Sequence, residues 1–288
     1  MSVLDDILSR TRLRVERLKV ERPVDALRAD ALYAREPRDF RLAFLKGGPR
    51  VIAEIKFASP SKGRIYPGEA SAAAAARVAA AYLSAGAAAL SVLTEPDFFR
   101  GSESFLRRVR QEHPDASLLM KDFIIDVHQL HVARWAGADA VLLIAAALGR
   151  RLPLLLESAH AFGLTALVEV HNEGEMSAAR EAGAGLIGVN SRDLKTLDTD
   201  LGVLRTLARG SAAARAAKCE GAVRPQPVLI AESGITRRSE LAELAACGYR
   251  GFLVGTRLMA TGKPGEALRE LLSPSPSPLV GEGRDGGK

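Results

Sequence analysis

The chain has 288 residues, of which 47% are hydrophobic and 26% charged, with a net charge of +6 and two cysteines. That balance fits one large or two average globular domains and excludes a disordered chain, a collagen-like fibre and a disulfide-framed scaffold. Cys219 and Cys247 lack C-x-x-C spacing and point to a reducing, cytoplasmic setting.

Residues 1–50 carry 12 basic and 8 acidic side chains, with Ile7, Leu8, Leu13, Val15 and Leu18 set among the arginines. They predict an N-terminal helical extension of one or two helices. Asp5 and Asp6 stand where a secretion signal would be positive. From Val51 onward two patterns alternate. Short β-branched and Leu-rich runs predict buried parallel strands at Val51–Phe57, Ala88–Thr94, Ser117–Ile124, Ala140–Ala146, Thr165–Val170, Leu186–Asn190, Val228–Ser233 and Gly251–Thr256. Between them lie helix-like stretches, several ending on a C-cap glycine: Gly86, Gly137, Gly183 and Gly248. The uncharged run from Val78 to Thr94 is Ala-rich, contains Ser84 and Gly86, and is too short to span a membrane.

Eight strands, each followed by a candidate helix, give the α/β class and the number of units in a (β/α)8 TIM barrel over 51–272. An open doubly wound sheet is the alternative, but no dinucleotide fingerprint supports it. Residues 209–226 predict a surface insertion before the seventh strand, and the Pro/Ser/Gly-rich residues 273–288 a disordered tail. Residues 209–224 hold 4 basic and 1 acidic side chains, which leaves everything outside this segment and 1–50 at −1. A non-enzymatic, RNA-binding barrel would need a contiguous cationic face, so no nucleic-acid partner is expected, and no membrane partner either.

In such barrels the active site forms at the C-terminal ends of the strands. Polar residues interrupt five of those ends: Glu54 and Lys56; Lys121 and Asp122; Glu169 with His171 just beyond; Asn190 and Arg192; and Glu232. One Glu-x-Lys alone could be a buried ion pair filling the barrel. Five strands placing such groups at corresponding positions argue for a convergent site. Ser233-Gly234 and Gly255-Thr256, at the ends of strands seven and eight, suit close approach of backbone amides to a phosphate, although ordinary turns also use glycine there. His128 and His131 share a helix face without a third ligand and read as surface or packing residues. His113 and His160 read as surface, Trp135 as core, and Arg107, Arg108 and Arg110 as a solvated helix face.

The segment Ala53-Glu54-Ile55-Lys56-Phe57-Ala58-Ser59-Pro60-Ser61-Lys62-Gly63 resembles the first-strand signature of the indole-3-glycerol-phosphate synthase family. The likeness continues through Phe98–Ser102, Lys121–Ile124, Leu142–Leu148, Leu167–His171, Gly188–Leu194, Glu232–Ile235 and Val254–Met259, in order, over roughly residues 1–272. It implies a tryptophan-biosynthesis enzyme, a carboxy-lyase without metal or organic cofactor. Such an enzyme cyclises, decarboxylates and dehydrates 1-(2-carboxyphenylamino)-1-deoxyribulose 5-phosphate.

By the resemblance Lys121 is the acid of ring closure, its pKa lowered by burial and neighbouring cations. Lys56, Glu54 and Glu169 would serve dehydration, and Asn190 a substrate hydroxyl. Arg192 and Glu232 would fix the charged network, and Ser59 and Pro60 would line the first loop. Phe99, Phe123 and Leu142 would form a wall for the aromatic ring, and Ser233, Gly234, Gly255 and Thr256 would hold phosphate. The partner expected is a sugar-phosphate small molecule met by a monomer, or at most a weak dimer. The insertion and the tail depart from the family pattern without touching these residues. A sugar-phosphate isomerase of the same barrel group would want Asp/Asp or Cys/Asp at the strand ends, where this chain offers Lys and Glu.

Overall fold

The computed structural model describes residues 2–193, 196–217 and 226–273, with backbone only for 211–217. Eight parallel strands close into a ring: β1 Arg50–Ile55, β2 Ala89–Leu93, β3 Leu118–Lys121, β4 Ala140–Ile144, β5 Thr165–Val170, β6 Leu186–Asn190, β7 Val228–Glu232 and β8 Gly251–Val254. Closure is made by β8 on β1, in the register Arg50 to Gly251 through Ala53 to Val254. The outer helices Ala72–Ser84, Glu103–Glu112, Val127–Ala136, Leu152–Ala161, Glu173–Glu181, Leu201–Ala217, Arg238–Ala246 and Pro264–Leu272 follow the strands in turn. Gly86, Gly137, Gly183 and Gly248 all take left-handed φ, between 84° and 106°, as the αβ turns of the sequence require.

Because side chains alternate along a strand, one set faces the helices and the other the barrel axis. The axial set is layered. Phe40 and Phe44, on a short 3-10 helix before β1, plug the N-terminal mouth, and Ile52, Ala89, Leu119, Ala140, Leu186, Ile230 and Leu253 fill the layer above. Gly251 makes room for the plug, since a Cβ there would stand 2.7 Å from the Phe44 ring. Further along the same inward-facing positions come Glu54, Lys121, Glu169, Glu232 and, two residues beyond inward Gly188, Asn190. The apolar core thus ends in a polar floor at the C-terminal mouth.

The N-terminal extension holds a helix, Val3–Glu21, begun by a Ser2–Asp5 capping box. It buries Ile7, Leu8, Thr11, Arg14, Val15 and Leu18. Leu13, one of the apolar residues that predicted a helix here, points to solvent at 73% exposure. The helix lies on the catalytic mouth and is pinned there by charge. Arg14 Nη2 donates to Asp122 Oδ1 at 2.5 Å, and Lys19 Nζ to Asp126 Oδ2 at 2.9 Å.

Several expectations change once the strands are closed. Of the arginines on Glu103–Glu112, Arg108 is solvated as expected, but Arg107 and Arg110 are not. Arg110 is 1% exposed and spans from Asp139 Oδ2 (2.6 Å) to the carbonyls of Gly137, Pro114 and Ala116, while Arg107 pairs with Asp30 at 2.8 Å. Trp135 is partly buried, with the guanidinium groups of Arg22 and Arg107 over its ring at 5.0 and 4.7 Å. His128 and His131 are buried packing residues; Tyr33 Oη lies 2.7 Å from His131 Nδ1. Residues 209–217, expected in a surface insertion, continue the helix that begins at Leu201. The remainder of that segment up to 225, with Cys219, and the tail from 274 lie outside the described residues.

Candidate active site

The C-terminal mouth opens into a cavity of about 350 Å³. Of the residues read from the sequence as site candidates, all but His171 line it: Glu54, Lys56, Ser59, Pro60, Phe99, Lys121, Asp122, Phe123, Leu142, Glu169, Asn190, Arg192, Glu232, Ser233, Gly234, Gly255 and Thr256. Strand ends supply most of them. Glu54, Lys121, Glu169, Asn190 and Glu232 occupy the last inward position of β1, β3, β5, β6 and β7, and Lys56 follows just after β1.

The charged floor has two centres. At the first, Lys121 Nζ donates to Glu169 Oε2 at 2.8 Å and to Glu232 Oε2 at 3.2 Å. At the second, Lys56 Nζ stands 2.6 Å from Glu54 Oε1. That contact is close in distance but off the line a hydrogen bond needs, because Glu54 Oε1 has no hydrogen-bond partner. Three buried carboxylates therefore face two ammonium groups, and burial penalises the uncompensated negative charge.

The imbalance fixes the protonation pattern. Burial pushes Glu232 up, and Lys121, although it outweighs the further push from Glu169 and Glu54, does not overcome that burial. Glu169 is driven the other way: burial raises it, but Lys121, His171 and hydrogen bonds from Lys121 and Asn190 hold it far below the usual carboxylate range. Burial draws Lys121 down, yet Glu169, Glu232 and Glu54 overcome it and hold the ammonium above the ordinary lysine range. The expectation of a lysine with a lowered pKa is thus reversed, because the groups around it are anions and not cations.

Asn190 is fixed from two sides. Its Oδ1 accepts the Arg192 backbone N–H at 3.0 Å, and its amide reaches Glu169. Arg192 lines the cavity with its Nη1 bonded to the Leu197 carbonyl at 2.6 Å, so it braces its own loop. Asp122, read in the sequence beside Lys121, turns toward the N-terminal helix, where Arg14, Thr94 Oγ1 (2.6 Å) and its neighbour's N–H (Phe123, 2.8 Å) satisfy it.

One wall is apolar. Phe99 and Phe123 stand 6.1 Å apart between centroids, with Leu142 beside them in the lining. Phe99 is set in place by buried Glu95, whose carboxylate accepts the N–H groups of Asp97, Phe98 and Phe99 at 3.0, 2.7 and 3.0 Å. At the opposite wall Ser233 and Gly234 take φ of +67° and +74°. Ser191 Oγ holds this turn by donating to the Glu232 and Ser233 carbonyls, both at 3.1 Å. Gly255 has a second reason to lack a side chain, because a Cβ there would stand 2.3 Å from Glu54 Oε1. A Gly255→Asp change would therefore displace Glu54.

Sequence reasoning missed the lining contributed by Val3, Leu4 and Ile7 of the N-terminal helix, by Leu197 and by Arg257. The apolar start of that helix was the available signal, but nothing local says which mouth of the barrel it covers.

Comparison with known proteins identifies relatives of the whole chain. The family profile described as indole-3-glycerol phosphate synthase matches residues 4–271. A protein of that name from Roseiflexus sp. (strain RS-1) is 41% identical over 277 residues, covering 94% of this chain and 98% of the relative. "Indole-3-glycerol phosphate synthase 1" of Streptomyces coelicolor is 40% identical over 285 residues, covering 99% of this chain and all of the relative (100%). Among solved structures, a 3-hexulose-6-phosphate synthase superposes with TM-score 0.57 at 16% identity, covering 77% of this chain and 97% of the other. A thiamine phosphate pyrophosphorylase from Pyrococcus furiosus does so with 0.54 at 19%, covering 77% and 93%. These two share the barrel.

Proposed function

The chain belongs to the indole-3-glycerol phosphate synthase family, and from that premise we propose which of its groups carry each step. The enzyme is a carboxy-lyase of tryptophan biosynthesis that converts 1-(2-carboxyphenylamino)-1-deoxyribulose 5-phosphate into indole-3-glycerol phosphate, carbon dioxide and water. In the first step the ring carbon bearing the carboxylate attacks the sugar carbonyl, and the carbonyl oxygen gains a proton as the C–C bond forms. Loss of carbon dioxide restores the aromatic ring. The new hydroxyl then leaves as water while a ring proton goes to a base.

The observation that carries the reading is Lys121 set between Glu169 and Glu232 at 2.8 and 3.2 Å. We assign Lys121 as the acid of ring closure. Its advantage is not a low pKa but a fixed ammonium aimed at the oxygen where negative charge develops, in a site screened from water. Its discharge has a second effect. Once Lys121 is neutral, the strongest cation holding Glu169 down is gone and the basicity of that carboxylate rises, so acid and base are readied in sequence. Lys56 and Glu54, with Glu169, take the acid and base roles of dehydration. Glu232, which keeps its proton to higher pH than an ordinary carboxylate, completes the network around Lys121, and Arg192, braced on the Leu197 carbonyl, borders it. Asn190 meets a substrate hydroxyl.

Phe99, Phe123 and Leu142 receive the anthranilate-derived ring, while Ser59 and Pro60 line the loop after β1. Amides and hydroxyls around Ser233, Gly234, Gly255 and Thr256 receive the phosphate. The partner is a sugar-phosphate small molecule, and the chain acts on it as a monomer or at most a weak dimer. No helix among the described residues is long and apolar enough to cross a membrane, and the half-buried Cys247 is free. A biosynthetic role of this kind suits a cytoplasmic enzyme.

The test is the purified chain incubated with the carboxyphenylamino-ribulose phosphate, followed by indole fluorescence. Wild type produces indole-3-glycerol phosphate, and Lys121→Ala folds but does not. Near-wild-type turnover in Lys121→Ala would overturn the acid assignment.

A further inference from the structure

Behind Glu169, and outside the cavity lining, sits a histidine that the steps above leave unused. His171 follows β5 and presents Nε2 to Glu169 Oε1 at 3.5 Å. That nitrogen is buried and has no hydrogen-bond partner. The other side of the ring is held firmly. Nδ1 lies 3.2 Å from Glu175 Oε2, and the same oxygen accepts the His171 backbone N–H at 2.9 Å. Glu175 is in turn fixed by Asn172, whose side chain donates to Oε1 at 2.6 Å and accepts the Glu175 N–H at 3.0 Å. A carboxylate on Nδ1 sets the imidazole's orientation and favours its cationic form.

We propose that His171, oriented by Glu175, is a positioning residue that holds Glu169 Oε1 and keeps that carboxylate ionised while Lys121 works on Oε2. The inference rests on the reading of Glu169 as a working carboxylate. A carboxylate has two oxygens. In this site Lys121 takes Oε2, and the buried, unpartnered Nε2–H is the cationic donor facing Oε1. When Lys121 discharges to the substrate, His171 is the cation that remains beside Glu169, preventing the carboxylate from recapturing a proton too early. The 3.5 Å gap is an ion-pair distance, of the kind that tightens to a hydrogen bond when substrate fills the cavity and excludes water. The charged groups facing the ring are Glu175 from the following helix, Glu169 from β5 and Glu232 from β7, with Lys121 beyond Glu169. Burial works against the imidazolium, but these carboxylates prevail and raise it above the usual histidine range.

The signs follow directly. Activity that needs His171 protonated falls on the alkaline side as the ring loses its proton. Removing Glu175 takes away a group that raises the histidine, so that limb must move toward acid. His171→Asn is expected to lower kcat about ten- to hundred-fold, as for loss of a charge-assisted contact, with KM changed less than about threefold. It also abolishes the limb. Glu175→Gln keeps the histidine and shifts the limb to lower pH, an effect that a purely structural helix cap would not produce. If His171→Asn fails to fold, the Glu175→Gln profile alone decides the matter.

Glu169→Gln is measured alongside. If it turns over like wild type, the reading of Glu169 itself fails. If it is inactive while His171→Asn and Glu175→Gln keep wild-type kcat and pH profiles, the role of His171 is overturned.

Discussion

Gly188 lies in the middle of β6 with an extended backbone that alanine would tolerate, yet it faces the Glu232 carboxylate directly. A Cβ at 188 would stand 1.9 Å from Glu232 Oε1, 3.0 Å from its Cδ and 3.3 Å from Leu167 Cδ1. Gly188→Ala therefore cannot coexist with the native Glu232 rotamer. The carboxylate must swing away from Lys121 and break the 3.2 Å contact. Overpacking of this kind costs about 1–3 kcal/mol, and the lost charge-assisted bond about 1.5–3 kcal/mol more. Together these predict a Tm lower by roughly 5–15 °C and a kcat reduced toward that of Glu232→Ala, about a hundredfold below wild type. The decisive assay is a double-mutant cycle. In a Glu232→Ala background the obstructing oxygen is absent, so adding Gly188→Ala should change stability by less than about 0.5 kcal/mol, well short of the sum of the single effects. A Gly188→Ala enzyme with wild-type Tm and turnover would refute the reasoning. So would strictly additive losses in the cycle.

Two other predictions concern charge. Burial and its two carboxylate neighbours push Glu232 up to about 7 against an ordinary 4.5. Its protonated form therefore contributes stability that is present below pH 4.5 and lost as pH rises toward 7. Glu232→Gln removes that loss, so its Tm relative to wild type should climb across this window and level off above it; parallel Tm curves from pH 4 to 8 would contradict the shift. Arg14→Met leaves Asp122, whose side chain is 1% exposed, without its cation, and loss of one partner of a buried pair costs about 3–5 kcal/mol. Urea melts should show that destabilisation, and KM should rise because Val3, Leu4 and Ile7 lose their anchorage over the cavity; an unchanged KM would separate the helix from substrate binding.

The barrel was readable in the sequence because its strands and αβ turns are local signals. Gly86, Gly137, Gly183 and Gly248 take the left-handed conformations their position after a helix demands. The site residues were readable because an ionisable group at the end of an apolar strand is costly without a purpose, and Glu54, Lys121, Glu169 and Glu232 all fall there. What could not be read depends on which groups meet across the ring. Lys121 meets partners 48 and 111 residues away, and only their identity as carboxylates turns its pKa upward. Arg110 looks solvent-facing in its helix until Asp139 is brought against it. Leu13 looks no different from the other apolar residues of its segment until the N-terminal helix adopts the one rotation that lets Arg14 reach Asp122. Local pattern fixes elements, whereas the sign of a buried charge is a property of the assembled ring.

The N-terminal segment grips both mouths of the barrel. Its helix bonds to Asp122 at one end, and Phe44 seats against Gly251 at the other, where β8 completes the ring. This has a consequence for the order of assembly. The segment leaves the ribosome before the barrel, but the seat for Phe44 exists only after β8, some two hundred residues later, has been made. Until then the plug and its two phenylalanines are exposed to water, and the helix lacks the closed rim it covers. Ring closure, seating of the plug and completion of the substrate wall therefore fall together, once β8 has been made. A nascent chain shortened before β8 would be a sticky, uncapped intermediate, not a smaller enzyme.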